Sequence, residues 1–492
     1  MKAEHQDVII IGAGLSGIGA AYHLSKKCPD KSLAILEGRS RMGGTWDLFK
    51  YPGIRSDSDM FTLGYNFKPW NDPQSIADGP SILKYIKEAA QEYSLEDKIR
   101  YNHQVTAINW CTQTATWTIS LNVEGQAQTL SCNFLLSCTG YYNYEKGYTP
   151  EFKGKEDFKG RFIHPQLWDE TLEYKDKNVV VIGSGATAVT LVPELAKQAA
   201  SVTMLQRSPT YVASVPKEDK LLPILRKILP NKWVYRFART RNVALTMAIY
   251  NYCRTFPNHA RKALTKLAKN ELGDEFDMRH FTPSYAPWDE RLCAVPDGDL
   301  FRVLKEGKAR VVTDTIKHIN HEGIVLNSGA TLPADIIVSA TGLDLQLMGG
   351  IDINVDGVAF DMSKAKVYRG VLIENLPNLG MIFGYTNASW TLKSDLTSEY
   401  FCRILNHMEK NQAQQCMPVD TEDMDDIPFI DMNSGYIQRA LDKVPKQGQK
   451  SPWRLYQNYI RDMAMLRLGS VDDGVLKFSQ ISEQPDMVPA ES

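Results

Sequence analysis

The chain has no closely spaced cysteine pair. Its eight cysteines (Cys28, Cys111, Cys132, Cys138, Cys253, Cys293, Cys402 and Cys416) are scattered, with no CxxC or CxxxxC and no histidine-rich neighbour. That pattern argues against a zinc site, a redox dithiol and a disulfide framework, and fits reduced thiols in the cytoplasm. Excess charge is missing too: a net charge of -2, with both signs interspersed over most of 492 residues, offers no field to nucleic acid. There is no low-complexity tract and no repeat at a solenoid period, so disorder is expected only at the ends, with residues 485–492 as a loose tail. An uncharged run near the start, residues 8–25, is long enough to suggest a membrane span, but it is interrupted by Gly12, Gly14, Gly17 and Gly19 and is followed by no small-residue cleavage site. It reads as a buried strand, turn and helix, not as a membrane span or a signal peptide.

What remains is an ordinary globular composition, 43% hydrophobic and 23% charged. The length is several times the ~100–150 residues of one domain, which predicts two or three packed units.

Residues 7–11 form a β-branched apolar run suited to the central strand of a parallel sheet covered on both faces. The run ends in Gly12, Gly14 and Gly17 at GxGxxG spacing. Gly12 permits the tight turn, Gly14 lets a pyrophosphate approach the backbone, and Gly17 lets the next helix pack on the strand, whose N-terminus then binds the phosphates. A second apolar strand, residues 33–36, ends in Glu37. A carboxylate there accepts hydrogen bonds from both ribose hydroxyls and repels a 2′-phosphate, which predicts FAD or NAD.

The pattern recurs as an apolar strand at 179–182, the turn Gly183, Ser184, Gly185, Ala186, Thr187, Ala188, Val189, a helical run to Ala199 and a strand at 202–205. Gln206, Arg207 and Ser208 now follow the strand. A guanidinium and a hydroxyl suit a 2′-phosphate, so this second site is expected to prefer NADPH, the bland reading being that Arg207 is a solvated surface charge. The expected fold is therefore α/β, with two dinucleotide-binding Rossmann-like domains, one of FAD type and one of NADPH type. Such a chain is a flavoprotein reduced by NADPH. Without a cysteine pair for disulfide reduction, its electrons go to O2 or to another acceptor.

Two longer motifs are more specific. Phe158, Gly160, His164, Trp168 and Asp169 fit FxGxxxHxxxW(P/D), and Gly43, Gly44, Trp46, Tyr51, Pro52, Gly53 and Asp57 fit GGxWxxxxYPGxxxD. On these residues the chain resembles the Baeyer–Villiger monooxygenases, class B flavoprotein monooxygenases. Residues 43–60, 183–211, 287–301 and 384–395 resemble the branch that contains the ethionamide-activating enzyme of mycobacteria. Related N- and S-oxygenating enzymes usually end the first motif in Tyr or Phe, so Trp168 and Asp169 tilt the choice.

The resemblance implies that FAD, NADPH and O2 act through a C4a-peroxyflavin to convert ketones to esters or lactones, sulfides to sulfoxides, and thioamides. It implies FAD contacts at Ser16, Glu37, Thr45, Trp46, Asp47, Leu48, Asp57 and Val105, and NADPH contacts at Arg55, Ser56, residues 183–189, Arg207 and Ser208. It makes Arg291 the active-site cation that stabilises the oxyanion of the ketone adduct, oriented by Asp57. An ordinary structural ion pair between the two is the competing reading. Glu290 departs from the ketone-specific members, which carry Lys there against the 2′-phosphate, and this weakens the expected NADPH preference. His164 is read either as a general base or as a hinge coupling NADPH position to domain rotation; its place before the second nucleotide fold favours the hinge. Trp168 is read as a packing anchor.

Apolar strands ending in Thr139-Gly140 and Thr341-Gly342 resemble the family's two interdomain crossings. They put the FAD-binding domain at 1–143 plus 343–492, the NADPH-binding domain at 144–217 plus 288–342, and a helical insertion lining the substrate channel at 218–287. Residues 384–390 are expected at the flavin by resemblance. Residues 221–270 contain no Asp or Glu and interleave Lys and Arg with Trp233, Tyr235, Phe237, Tyr250 and Tyr252. A channel wall is the favoured reading there, with peripheral contact to an anionic membrane in addition. Two other functions stand beside the leading one: a heteroatom-only (S/N) flavin monooxygenase, and a non-oxygenating NADPH-reduced flavoprotein acting as an oxidase or redox-dependent binding protein.

Overall fold

A computed structural model describes residues 4–290, 292–422, 424–430 and 432–481. The 485–492 tail lies outside them, as does Arg291.

The chain builds two sheets on the same plan. In the first, strand Glu4–Ile11 runs parallel between Leu33–Leu36 and Gln126–Ser137, with Val8 aligned to Leu33 on one side and to Phe134 on the other. The chain passes from Glu4–Ile11 through helix Leu15–Lys27 to one neighbour and only later returns to the other, so the strand lies at a topological switch point. Strand Leu379–Met381 adds to the far side of Gln126–Ser137. Val8 and Ile10 feed one hydrophobic core while Ile9 and Ile11 feed another, which is why the run shows no polar alternation.

The second sheet has five strands, ordered Ala309–Thr313, Ser201–Gln206, Asn178–Ile182, Ile336–Ser339 and Arg161–Ile163, and every pairing is parallel. Val179 and Val181 again face one core, Val180 and Ile182 the other. The α/β fold with two Rossmann-like sheets is thus present. One boundary differs from expectation: the helix after the second glycine turn spans Ala186–Leu195 and does not reach Ala199. The Ala200 amide donates to the Lys177 carbonyl at 3.0 Å, so the chain has already turned back toward strand Ser201–Gln206.

Strands Tyr142–Gly147 and Leu343–Leu345, which follow the two Thr-Gly pairs, form an antiparallel ribbon. Helices Leu222–Leu225, Asn231–Thr255 and Pro257–Leu272 occupy the acid-poor segment. Val234, Tyr235 and Ala238 pack into the core of the first sheet, whereas Ala268 and Leu272 pack into that of the second. The Arg239 guanidinium, buried, donates to the carbonyls of Phe61 (3.0 Å), Thr62 (3.2 Å) and Gly64 (2.7 Å) and pairs with Asp395 (3.3 Å). A buried charge satisfied four ways fixes the long helix against the first sheet's loops.

Candidate functional site

Both glycine turns open into one cavity of about 2310 Å³. Gly12 (φ 103°) and Gly183 (φ 133°) hold equivalent places. A Cβ on Gly12 would lie 2.7 Å from the Cys138 carbonyl oxygen, and one on Gly183 would lie 2.4 Å from that of Ala340. No side chain fits either position, so each turn is clamped to the residue that precedes a Thr-Gly pair. Gly14 and Gly185 N-cap the following helices, and neither makes a side-chain capping hydrogen bond. Uncapped first-turn N–H groups lining a cavity are what a pyrophosphate requires. A Cβ on Gly185 would meet nothing within 4 Å, and one on Gly14 only Gly44, so the residues present fit two dinucleotides. Gly17 packs so close under its turn that a Cβ would sit 1.8 Å from the Gly12 oxygen.

On the first-sheet side, Ser16, Thr45, Trp46 and Asp57 line the cavity. Glu37 is buried outside that lining; Oε2 accepts from the Ala13 amide (2.9 Å) and Oε1 from that of Arg39 (3.0 Å), so the acid also sets the shape of the glycine turn. Burial raises the Glu37 pKa above the usual carboxylate value, with these hydrogen bonds opposing. Asp47 is buried among Arg39 (2.6 Å), Arg41 (3.4 Å) and Lys50 (3.9 Å). Leu48 is half-buried on helix Thr45–Leu48, and Val105 half-buried on strand His103–Cys111 beside a register shift. Asp47, Leu48 and Val105 are not in the cavity wall. The later segment reaches the first turn directly: Trp390 Nε1 donates to Ser16 Oγ at 2.7 Å while its ring stacks on Tyr141.

On the second-sheet side, Gly183, Ser184, Gly185, Ala186, Thr187, Arg207 and Ser208 line the same cavity. Ala188 and Val189 turn inward to the core. Arg55 and Ser56 also line it. The Arg55 guanidinium makes a two-pronged pair with Asp299 (2.5 and 3.3 Å), joining the first sheet's loop to helix Asp299–Lys305 of the second. Glu290 is in the wall as well; burial raises its pKa, and the nearby Arg207 charge opposes that rise. Arg291, the expected catalytic cation, lies outside the described residues, while its sequence neighbours Glu290 and Leu292 line the cavity.

The fingerprint residues Phe158, Gly160, His164, Trp168 and Asp169 stand apart from the cavity wall. His164 Nε2 donates to the Gly342 carbonyl (3.0 Å) and Nδ1 accepts from the Gln166 amide (3.2 Å), a neutral imidazole with its proton on Nε2. Desolvation lowers the His164 pKa. Trp168 is buried edge-on to Tyr174, Phe158 packs against the second sheet's other core, and a Cβ on Gly160 would strike the Asp335 carbonyl at 2.2 Å. Asp169 is exposed, with Thr171 as its hydrogen-bond partner.

Sequence reasoning missed Asp299 as the partner of the cavity-lining Arg55, and the ion pair of Asp219 with Arg241, whose two residues both line the cavity. Asp299 carried a local signal, an acid opening an apolar helix just after Gly298. The Asp219 pair carried none. Among the described residues no cluster of His, Cys, Asp or Glu is fit to hold a metal ion, and no helix is long and apolar enough to cross a membrane.

Residues 9–233 match the family described as pyridine nucleotide-disulphide oxidoreductase. The chain is 51% identical over 480 residues to the FAD-containing monooxygenase EthA of Mycobacterium tuberculosis (strain ATCC 25618 / H37Rv), spanning 97% of this chain and 98% of that protein. It is 50% identical to the probable FAD-binding monooxygenase AlmA of Acinetobacter baylyi, spanning 97% of each. Among solved structures, open cyclohexanone monooxygenase superposes with a TM-score of 0.73 at 18% identity, covering 85% of this chain and 90% of that one. Oxidised steroid monooxygenase bound to NADP gives 0.71 at 22%, covering 84% and 88%.

Proposed function

Because the chain belongs to the family of FAD-containing monooxygenases, we propose that it is an NADPH-dependent Baeyer–Villiger enzyme that converts ketones to esters or lactones and also oxidises sulfides and thioamides. The observation that carries the reading is the single cavity into which both uncapped helix N-termini open, so that two nucleotides meet in one chamber. Bound there, FAD supplies the activation of O2, using hydride taken from NADPH.

The chain's own residues bind, orient and shield. Arg207 and Ser208 take the 2′-phosphate, the turn at 183–187 takes the pyrophosphate, and Glu37 with Gly14 holds the flavin nucleotide. Arg291 is the fixed cation for the oxyanion of the ketone adduct, with Asp57 orienting it. His164 couples the two domains at the Gly342 crossing and transfers no proton to substrate. The domains follow the two sheets, at 1–143 plus 343–492 and 144–217 plus 288–342, with 218–287 walling the channel. All eight cysteines are free thiols, which suits a cytoplasmic enzyme.

The test supplies purified flavoprotein with NADPH, 18O2 and a paired panel of aliphatic ketones and aryl alkyl sulfides. Labelled ester near one per NADPH supports the proposal. Labelled sulfoxide alone moves it to a heteroatom-only monooxygenase, and H2O2 alone to a non-oxygenating flavoprotein.

A further inference from the structure

The acid-free segment 221–270 carries eleven Lys and Arg residues. The structure divides the apolar side chains of its first part between two opposite sides. Leu222, Val234, Tyr235 and Ala238 are buried against the first sheet's core. Ile224, Ile228, Trp233 and Phe237 are 60%, 73%, 61% and 47% exposed, and none of them lines the cavity. Each pair is spaced i, i+4, so helix Leu222–Leu225, the turn after it and the first turns of Asn231–Thr255 present apolar faces outward. Lys227, Lys232 and Arg236 are exposed among them and make no ion pair among the described residues; the Arg236 guanidinium instead lies 5.5 Å from the Trp233 ring centroid. A cluster of large exposed apolar side chains rimmed by cations without ion-pair partners is the pattern of an interaction surface.

The outward face also leads to the chamber. Trp233, Phe237, Arg241, Leu245 and Ile249 follow one another at i+4 along a single helix, and the last three line the cavity. Arg241 sits over the Phe237 ring and pairs with Asp219 at the boundary between outside and inside.

We propose that this hairpin docks on an anionic lipid surface, with Ile224, Ile228, Trp233 and Phe237 entering the interfacial layer and Lys227, Lys232 and Arg236 meeting acidic headgroups. Charge complementarity selects this occupant: a segment without one carboxylate over fifty residues matches a negative surface, whereas a second copy would bring the same cations face to face. The docking rests on this face alone and not on the monooxygenase reading.

The test uses the full-length, flavin-loaded protein and sedimentation with vesicles. Vesicles of mixed phosphatidylglycerol and phosphatidylcholine should bind the protein, and raised salt should weaken binding, as should vesicles of phosphatidylcholine alone. Ile228→Ser combined with Trp233→Ser should reduce partitioning by at least about tenfold, and Lys227→Glu with Lys232→Glu and Arg236→Glu should remove the preference for anionic vesicles. Retained flavin and an unchanged thermal midpoint in both variants separate lost docking from misfolding. Trp233→Phe should still bind but lose part of the tryptophan quenching by brominated lipid. Equal sedimentation of the parent protein and both variants overturns the proposal, as does a parent dimer that the Ser variant splits while neither binds vesicles.

Discussion

His164 Nε2 donates to the main-chain oxygen of Gly342 across 3.0 Å, so the central residue of the 158–169 motif is bonded to the crossing that follows Ile336–Ser339. That crossing adjoins Ala340, whose carbonyl abuts the Gly183 turn. The motif, the Thr341-Gly342 pair and the second glycine turn are therefore joined by direct contacts.

Replacing His164 with Ala should slow NADPH-dependent flavin reduction while leaving flavin content unchanged. One lost hydrogen bond of about 1 kcal/mol corresponds to roughly a fivefold effect. Stopped-flow flavin bleaching reads the rate, and absorbance reads the flavin. The imidazole also predicts a pH dependence. Burial depresses its folded pKa, so its contribution to stability is complete above the ordinary value of about 6.5 and declines as pH falls below that value toward the folded one. His164→Asn should flatten that part of the stability-against-pH curve, and an unchanged curve would remove His164 as its source.

Glu290 and Arg207 lie on the same cavity wall, where the Arg207 charge attracts the Glu290 carboxylate, a group that competes with a 2′-phosphate for that guanidinium and repels it. Glu290→Lys should therefore raise the NADPH-over-NADH ratio of kcat/KM, whereas Arg207→Ala should lower it roughly ten- to hundredfold, the range for one charge-assisted hydrogen bond. If Arg207→Ala leaves the ratio unchanged, Arg207 is only a surface charge.

The parts of this site that could be read in advance are those where sterics leave one residue type a place. Gly12 and Gly183 abut carbonyls at which any Cβ collides, so the turns announce themselves as glycine spacing. The two-sided burial of residues 8–11 appears as an unbroken apolar run for the same local reason. Arg239 with Asp395 and Arg55 with Asp299 are 156 and 244 residues apart in sequence, and such pairs leave no periodicity. The expected helical extension to Ala199 failed because local propensity cannot foresee that the Ala200 amide is claimed by Lys177.

The Arg55–Asp299 pair is two-pronged and largely shielded, and it joins loops of different sheets. Asp299→Ala should cost about 3 kcal/mol by stranding the guanidinium. The double variant Arg55→Ala/Asp299→Ala should cost less than the sum of the single ones, by about 1–3 kcal/mol in a denaturation cycle. Additive losses would mean that the pair contributes no coupling between the halves.

Arg291→Ala separates the two chemistries of the proposed reaction. Attack on a ketone builds negative charge on the adduct oxygen, and a fixed guanidinium stabilises that charge; losing one such donor costs about 10²–10³ in kcat. Oxygen transfer to a sulfide builds no oxyanion on the substrate, so sulfoxide formation should fall much less. Product ratios from one enzyme preparation given both substrates measure the difference without reference to active-site concentration. Arg291→Lys should restore part of the ester yield, since it keeps the charge but not the planar fork. An equal loss of ester and sulfoxide would instead make Arg291 a residue that positions NADPH, and the cation for the adduct would then have to be another residue.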